Sequence, residues 1–423
     1  MDWNKRDRNV IWHPFSHQWQ ETPCINIIRG EGIYLYDDTG KAYMDAVSSW
    51  WVNLHGHAHP YMTEKIHEQL QQLEHVIFAG FTHPKAVLLA EELLKILPGN
   101  QARVFYSDNG STAVEVAIKM TMQYWWNQGQ HKYTFIAFEN SYHGDTFGAM
   151  AVGAPSPFNT PFGAPAFNVI HIPTPNQENL ASLLDKISDI ASEYNVAGFI
   201  FEPLVQGSGG MLMYEAEHLE VLINHCRQLH IITIADEVMT GFGRTGAMFA
   251  CDHLETAPDI FCLSKGLTGG YLPMGITTCT EEIYRAFLEK DIYKTFYHGH
   301  SYTGNPLSCA AALASLDILK SEGYIEEIVR IVYKHQAFRI RLEQHSKVSN
   351  ARQCGTILAF DIRTEEHTSY FNKNRDFFYR EFIRRGVLLR PLGNTIYILP
   401  PYCITNDQLD IIYGAIEEVL DLL

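Results

Sequence analysis

Two neighbouring apolar runs of the sequence each lead into a side chain that could do chemistry. Residues 231–235 lead into Asp236, and residues 260–263 are followed closely by Lys265. Buried strands of an open α/β sheet deliver such residues to one crevice at their carboxyl ends. An amine that loses hydration there has a lowered pKa and can attack a carbonyl, whereas a helix-capping acid and a surface lysine are the ordinary alternatives. Together the two residues match a pyridine aldehyde cofactor, which needs an amine for an imine and a carboxylate for its ring nitrogen.

A third segment could hold the phosphate of such a cofactor. Gly110 and Ser111 stand at the start of a helical pattern over residues 111–126. The free backbone N–H groups at a helix start bind a dianion, although a serine cap on an ordinary helix is the simpler interpretation of this segment alone. Tyr142, in the loop after an apolar run, could stack on the ring.

Two other motifs suggest different chemistry. Residues 241–246 satisfy the G-x-G-x-x-G pattern of dinucleotide binding, but five residues separate them from the preceding strand and no long helix follows. Residues 55–59 contain three histidines without a cysteine or carboxylate partner, and HExxH is absent. We therefore expect neither a nicotinamide site nor a metal site.

The elements that must position these residues alternate between about residues 85 and 310. Short apolar runs at 134–138, 196–201, 231–235 and 260–263 alternate with helical patterns. Continuous apolar runs are typical of strands that are buried on both faces because helices cover the sheet. The sequence predicts an α/β fold with a mostly parallel central sheet and helices on both faces.

A smaller α+β lobe is predicted from both termini. Residues 32–47 read as two strands around an Asp-Asp-Thr-Gly turn that packs beside a C-terminal lobe. That lobe would contain strands within 355–362 and 386–399 and helices over about 308–345, 371–385 and 406–422. The predicted division is an N-terminal segment 1–50, a large cofactor-binding domain 51–310 and a small domain 311–423.

Composition narrows the classes of partner. The 423 residues carry a formal charge of −16, which disfavours a nucleic-acid partner, because a phosphate backbone attracts clustered Lys and Arg. The eight cysteines form no CxxC pair, as expected in a reducing compartment. No apolar signal segment or stretch of about 18 uncharged apolar residues occurs. We expect a cytoplasmic protein without a membrane partner.

The run 235–246, followed by Ser264-Lys265-Gly266, resembles the class III aminotransferases, which depend on pyridoxal 5′-phosphate (PLP), and the resemblance covers essentially the whole chain. The segments Ile11-Trp12-His13-Pro14, Ser48-Ser49-Trp50-Trp51, 142–146, 304–307 and 389–391 are similar to one branch of this family. That branch transfers an amino group from S-adenosyl-L-methionine to 8-amino-7-oxononanoate in biotin biosynthesis. The resemblance implies PLP-dependent transferase fold type I, ping-pong chemistry that yields 7,8-diaminononanoate, and a homodimer with shared active sites.

The resemblance also implies a role for each matching residue. Lys265 would hold the cofactor as a Schiff base, Asp236 would pair with the ring nitrogen, and Tyr142 would stack on the ring and touch the substrate. Arg390 would bind the distal carboxylate of the acceptor, Trp50 would form a wall of the substrate channel, and Arg244 is the candidate for the donor carboxylate. The further contacts would be Gly110 and Ser111 with phosphate, His300 and Ser301 with the phosphate of the neighbouring subunit, and Gly299 and Phe15 with substrate.

Two departures from the family pattern leave alternatives open. His300-Ser301 replaces the usual Pro-Thr, and Phe15 stands where the family often has Tyr. Residues 298–305 are similar to a branch that uses L-lysine as the donor, so lysine remains the alternative donor, although Trp50 favours adenosylmethionine. Another class III omega-aminotransferase, a PLP-binding protein without turnover and a dehydrogenase are the remaining alternatives.

Overall fold

The structure is a computed structural model that describes residues 2–15, 24–155, 162, 167–364 and 372–423. Its strands are β1 Ile27–Glu31, β2 Tyr34–Asp37, β3 Ala42–Asp45, β4 Gln101–Ser107, β5 Thr134–Phe138, β6 Val169–Ile172, β7 Val196–Phe201, β8 Val205–Gln206, β9 Leu212–Met213, β10 Ile232–Asp236, β11 Ile260–Leu263, β12 Gly275–Thr280, β13 Val348–Cys354, β14 Ile357–Ile362, β15 Val387–Leu388 and β16 Thr395–Ile398. Its α-helices are Trp3–Val10, Pro60–Leu70, Pro84–Ile96, Gly110–Asn127, Phe147–Val152, Leu180–Glu193, Ala216–Gln228, Glu281–Arg285, Pro306–Leu319, Tyr324–Glu343, Arg375–Arg384 and Asn406–Asp421.

The central sheet has seven strands in the order β4-β12-β11-β10-β7-β5-β6. Within the described ranges, β12 alone runs antiparallel to its neighbours β11 and β4. Every residue of β5 is buried, and successive residues pack on opposite faces: Phe135 and Ala137 on one face, Ile136 and Phe138 on the other. This two-sided burial explains the continuous apolar runs in the sequence. The predicted α/β fold with a mostly parallel sheet is confirmed.

The strand directions determine where a site can form. Because β4, β5, β7, β10 and β11 are mutually parallel, their carboxyl ends lie along one edge of the sheet. The helix Gly110–Asn127 follows β4 and packs its buried side chains against one face of the sheet. The residues that follow these five strands therefore converge on one crevice, as open α/β sheets require.

The two chain termini meet in a second sheet of order β1-β2-β3-β15. The predicted N-terminal hairpin is present as β2 and β3, and β3 pairs in parallel with β15 through Met44–Val387 and Asp45–Leu388. A three-stranded antiparallel sheet, β13-β14-β16, completes the small lobe. The predicted strand 386–399 is thus divided between β15 and β16, in different sheets. The two predicted domain boundaries, at residues 50/51 and 310/311, stay predictions.

The predicted helix over 308–345 was wrong as one continuous element. The helices Pro306–Leu319 and Tyr324–Glu343 are separated at Gly323, whose φ of +87° is a left-handed conformation that glycine adopts without steric cost. The predicted helix 371–385 is Arg375–Arg384, and residue 371 lies outside the described residues. Among the described helices, none is both long and apolar enough to cross a membrane.

Candidate active site

Lys265 lies where β11 gives way to the short 3-10 helix Lys265–Thr268. Its side chain lines a cavity of about 460 Å³, a volume within the roughly 300–1,000 Å³ typical of small-molecule sites. The Nζ atom lies 4.5 Å from the centroid of the Trp51 ring. Burial lowers the pKa of Lys265 to about 8, although the carboxylates of Asp236 and Glu202 oppose this shift. The site therefore contains an amine that is partly deprotonated near neutral pH.

We expect this lowered pKa to be visible without cofactor. In the apo-protein, acylation of Lys265 by acetic anhydride should rise about tenfold per pH unit and level off above pH 8, because only the neutral amine reacts. Pulse labelling followed by peptide mass spectrometry measures this rate, and the same peptide in urea-unfolded protein is the control. A native-state rate that keeps rising to about pH 10.4, as for an ordinary lysine, would contradict the assignment.

Asp236 ends β10, next to the strand that precedes Lys265. One carboxylate oxygen, Oδ2, lies 2.7 Å from Nδ1 of the fully buried His143, and Oδ1 accepts the backbone N–H of Val238 at 3.1 Å. His143 therefore fixes the orientation of the carboxylate that lines the cavity. We did not predict this role for His143, although its place beside Tyr142 in the sequence was a usable signal.

Glu202 is a second residue of the site that was not predicted from the sequence. It directly follows β7, and its carboxylate accepts the backbone N–H groups of Tyr142 at 3.0 Å and Gly207 at 2.9 Å. Burial raises the pKa of Glu202 to about 7, the nearby His143 lowers it, and the negative Asp236 adds to the rise. Glu202 thus fixes the loop that carries Tyr142. An acid that directly follows an apolar strand is the pattern that identified Asp236, and it could have identified Glu202.

The start of the helix Gly110–Asn127 lines the same cavity. Asn109 caps the helix through the N–H of Thr112, while no partner is found for the backbone N–H groups of Gly110 and Ser111 within the described part of the chain. A Cβ atom on Gly110 would lie 2.8 Å from Cγ1 of Val238, so a larger residue would crowd this position. The two free N–H groups at this helix start fit the phosphate of PLP. The nearby amine fits its aldehyde, and the carboxylate fits its ring nitrogen.

Three predicted substrate residues lie together outside this cavity. The guanidinium carbon of Arg390 lies 4.6 Å from the centroid of the Trp50 ring, and the ring of Phe15 contacts the same tryptophan at 5.4 Å. Trp50 is 38% exposed, whereas its neighbour Trp51 is buried and lines the cavity. Arg390 makes no ion pair with any carboxylate in the ranges that the structure describes. Its charge is therefore available to an anionic ligand.

Arg244 is placed differently from Arg390. Its side chain is 1% exposed and donates to the backbone carbonyls of Pro400 at 2.8 Å, Asn53 at 3.2 Å and Trp51 at 3.4 Å. These contacts bind the small lobe to the segment that carries the two tryptophans. The role of Arg244 in binding the donor carboxylate stays a prediction, and the observed hydrogen bonds are those of a structural residue.

The segment Gly299, His300 and Ser301 does not line the cavity of its own chain. Gly299 and Ser301 are exposed, and the backbone N–H of His300 donates to Oγ1 of Thr303 at 3.1 Å. A single subunit therefore leaves this segment available to another surface. Its predicted contact with the phosphate of a neighbouring subunit is not tested by the single chain.

The glycine motif and the histidine cluster, which suggested other chemistry, both lie in segments with ordinary structural contacts. After β10, Glu237 accepts the backbone N–H groups of Ala250 and Cys251. The glycine motif between these residues lies in a turn, and a short 3-10 helix follows it where dinucleotide binding would need a long helix. His55 packs between Tyr324 and Ser315. Near the N-terminus, potential ligand atoms lie within 4.8 Å of one another on Asp7, His13 and Cys24, where the Asp7–His13 hydrogen bond of 2.8 Å already pairs two of them.

If Asp236 pairs with the ring nitrogen, its replacement with asparagine should slow turnover about 10²- to 10³-fold while cofactor binding persists, because a preorganised charge would be lost. Steady-state kcat and equilibrium dialysis of PLP measure the two effects. Asp252→Asn is a matched control, since Asp252 is a partly buried acid that caps a short 3-10 helix through the N–H of Phe249. Near-normal turnover in Asp236→Asn would move the ring-nitrogen role to another residue.

The fold and the site define a PLP-dependent transferase of fold type I. The model of the family "Aminotransferase class-III" matches residues 15–420. The adenosylmethionine-8-amino-7-oxononanoate aminotransferase of Synechococcus elongatus is 47% identical over 97% of this chain and 98% of that protein. The crystal structure of the Methanocaldococcus jannaschii protein of the same name is 38% identical, with a TM-score of 0.92 over 98% of both chains. A PLP-bound amine transaminase from an uncultivated Pseudomonas species is 31% identical, with a TM-score of 0.92 over 97% of this chain and 98% of the other.

The chain belongs to the class III aminotransferase family. The predictions of family, fold type, PLP as cofactor and transamination as the reaction are therefore confirmed. The roles of the individual site residues stay predictions.

Proposed function

We propose that this enzyme transfers an amino group from S-adenosyl-L-methionine to 8-amino-7-oxononanoate and so forms 7,8-diaminononanoate. The observation that carries the proposal is the contact of Arg390 with Trp50, next in sequence to the tryptophan that contacts Lys265. The segment Trp50-Trp51 thus contacts both the amine of Lys265 and the guanidinium of Arg390, a cation suited to a substrate carboxylate. The similarity to enzymes named for this pair of substrates, at 47% identity in one case, supports the same conclusion.

The chemistry of transamination requires a proton carrier and a fixed negative charge. When bound, PLP supplies an electron-withdrawing ring that stabilises negative charge on the substrate carbon. Lys265, with a pKa of about 8, can hold and release a proton at Nζ near neutral pH. Asp236, oriented by His143, presents its charge for the ring nitrogen, and the N–H groups of Gly110 and Ser111 would hold the phosphate.

The acceptor would be oriented from its far end. The guanidinium of Arg390 offers a planar pair of donors that matches the two oxygens of a carboxylate. Trp50 packs against this guanidinium and Phe15 packs against Trp50, so the aliphatic chain of the acceptor would pass along aromatic surfaces. Phe15 has no hydroxyl, and it contributes apolar contact where Tyr could also donate a hydrogen bond.

An amino-donor panel tests the proposed function. With 8-amino-7-oxononanoate as the acceptor, adenosylmethionine should support formation of 7,8-diaminononanoate, followed by mass spectrometry of the product. L-lysine is the alternative donor and should give little or no product. Turnover with lysine alone would reject the proposed donor, and turnover with simple amines but not with the oxononanoate would reject the acceptor.

We further propose that the enzyme is a cytoplasmic homodimer with shared active sites. The exposed segment around Gly299 and Ser301 supports this proposal, together with the exposed aromatic rings of Tyr297 and Tyr302 that flank it. The eight cysteines are all unpaired, as expected for a reducing compartment. Light scattering coupled to size-exclusion chromatography should give twice the chain mass, and a monomeric mass at micromolar concentration would contradict the dimer.

A further inference from the structure

Residues Ser48 to Trp51 form a turn of left-handed backbone. Their φ angles are +50°, +45°, +78° and +71° in chain order, and none of the four is glycine. L-residues avoid this region because Cβ approaches the following carbonyl oxygen, so four in succession persist only where the surroundings hold them. The contacts of the turn must therefore stabilise it.

The carboxylate of Asp45, at the end of β3, stabilises the turn. It is fully buried, and its Oδ1 accepts the backbone N–H of Ser49 at 2.9 Å and of Val47 at 3.3 Å. Its Oδ2 accepts the hydroxyl of Ser49 at 2.6 Å. Hydrogen bonds to an ionised acceptor are short and strong, so one side chain fixes both the entrance and the second residue of the turn.

A histidine on the far side of the turn completes the network. Nε2 of His57 lies 3.0 Å from Oδ2 of Asp45, and Nδ1 of the same ring lies 3.1 Å from the amide nitrogen of Asn53. The Asn53 amide donates to Nδ1, which leaves Nε2 as the donor to Asp45. The backbone of His57 is itself fixed by two hydrogen bonds with Gly32. The residues before and after the turn are thus connected through one carboxylate.

The turn directs two successive indole rings to two parts of the site. The Trp51 ring lies 4.5 Å from Nζ of Lys265, and its N–H donates to the hydroxyl of Tyr397 at 3.0 Å. The Trp50 ring lies 4.6 Å from the guanidinium carbon of Arg390. An extended strand would also send successive side chains to opposite sides, but it would place both rings in a different register relative to β3.

We propose that Asp45 is a positioning residue that holds this left-handed turn and thereby sets the acceptor chain length that the enzyme selects. The identity of the acceptor rests on the proposed function above. Because the two tryptophans are adjacent on one fixed turn, the spacing between the Lys265 end and the Arg390 end of the site is fixed as well. An acceptor that is too short cannot reach both ends.

The test compares 8-amino-7-oxononanoate with a homologue two methylenes shorter. In the native enzyme, kcat/KM should favour the longer acceptor by at least about tenfold, since one methylene changes specificity by about 10- to 200-fold in a shaped pocket. Asp45→Asn places an amide N–H₂ against the donors of Ser49 and His57. We expect the preference to fall to about twofold, chiefly through a higher KM for the longer acceptor, and a crystal structure of the variant to show residues 49–51 outside the left-handed region.

Asp37→Asn is the matched control. Asp37 lies at the other end of the same hairpin and accepts the N–H and hydroxyl of Thr39, the N–H of Lys41 and the hydroxyl of Tyr43, without contact to either tryptophan. It should lower the melting temperature and leave the length preference unchanged. His57→Gln, which keeps a side-chain N–H for Asp45, should retain most of the preference, and His57→Leu should not.

Several outcomes would overturn the proposal. They are an Asp45→Asn enzyme that keeps the tenfold preference, a variant structure with the turn intact, or an equal loss of preference in Asp37→Asn. If Asp45→Asn does not fold, Ser49→Ala removes only the 2.6 Å hydroxyl contact and should reduce the preference in the same direction. A native enzyme that is inactive toward the nine-carbon keto acid would reject the proposed function instead, and the crystal structure of the variant would still test the turn.

Discussion

Replacement of Lys265 with alanine should abolish transamination and leave the fold intact. The lysine side chain lines a cavity and contacts the ring of Trp51, so its removal opens no gap in the close-packed core. The variant would lose both the covalent attachment of the cofactor and the proton carrier that we propose for Lys265, and a positioned acid–base group alone contributes about 10²- to 10⁴-fold. We therefore expect kcat to fall by more than about 10³-fold with a melting curve close to that of the native protein. Initial rates and circular dichroism measure the two quantities.

A second lysine provides the control for Lys265. Lys132 also lies over a tryptophan, with Nζ 3.5 Å from the centroid of Trp125, and burial also lowers its pKa. It lines a different cavity, so Lys132→Ala should keep full activity. Borohydride reduction of the holoenzyme should attach the cofactor to the Lys265 peptide. Recovery of the label on any other lysine would reject the assignment.

Arg390→Ala should raise the KM for the keto acid strongly and leave the donor half-reaction nearly unchanged. Truncation of one partner of a buried, hydrogen-bonded charge pair costs about 2 to 5 kcal/mol, which corresponds to about 30- to 5,000-fold. We propose that Arg390 contacts only the acceptor, so the donor half-reaction should be spared. Single-turnover spectroscopy follows the two half-reactions separately.

Two further variants sharpen this experiment. Arg390→Lys keeps the charge but loses the planar pair of donors, and it should recover only part of the affinity. Arg385→Ala removes a nearby, partly buried arginine that is paired with Glu381 and Glu418, and it should leave both half-reactions unchanged. Equal damage to both half-reactions by Arg390→Ala, or none to either, would return Arg390 to a structural role.

The parts of the fold that the sequence predicted best are those with a local cause. The runs 134–138, 196–201 and 260–263 coincide with β5, β7 and β11 because strands buried on both faces must be apolar throughout. The start of the helix at Gly110 was predicted to within one residue from the helical pattern over residues 111–126, although the cap is Asn109 and not a serine. The break at Gly323 was missed because a glycine within a helical pattern is compatible with either continuation or termination.

The features that escaped prediction depend on contacts distant in sequence. His143 lies in the loop after β5, far in sequence from Asp236 at the end of β10, and Glu202 contacts the same loop through the N–H of Tyr142. Nothing in the composition of Ser48-Ser49-Trp50-Trp51 indicates a left-handed turn, since its cause is a buried carboxylate and a histidine beyond it. Arg244 was predicted to bind a substrate because it lies within a family motif, but its terminal guanidinium nitrogens donate to backbone carbonyls.

The parallel pairing of β3 with β15 also bears on the order of events during synthesis. β3 leaves the ribosome early, but its partner follows only after nearly the whole chain has been made. The large central sheet can form in the meantime, because its strands lie between the two. The contact between Trp50 and Arg390 is therefore assembled last, and a nascent chain stalled before residue 387 should contain the cavity around Lys265 but lack the arginine proposed to bind the acceptor.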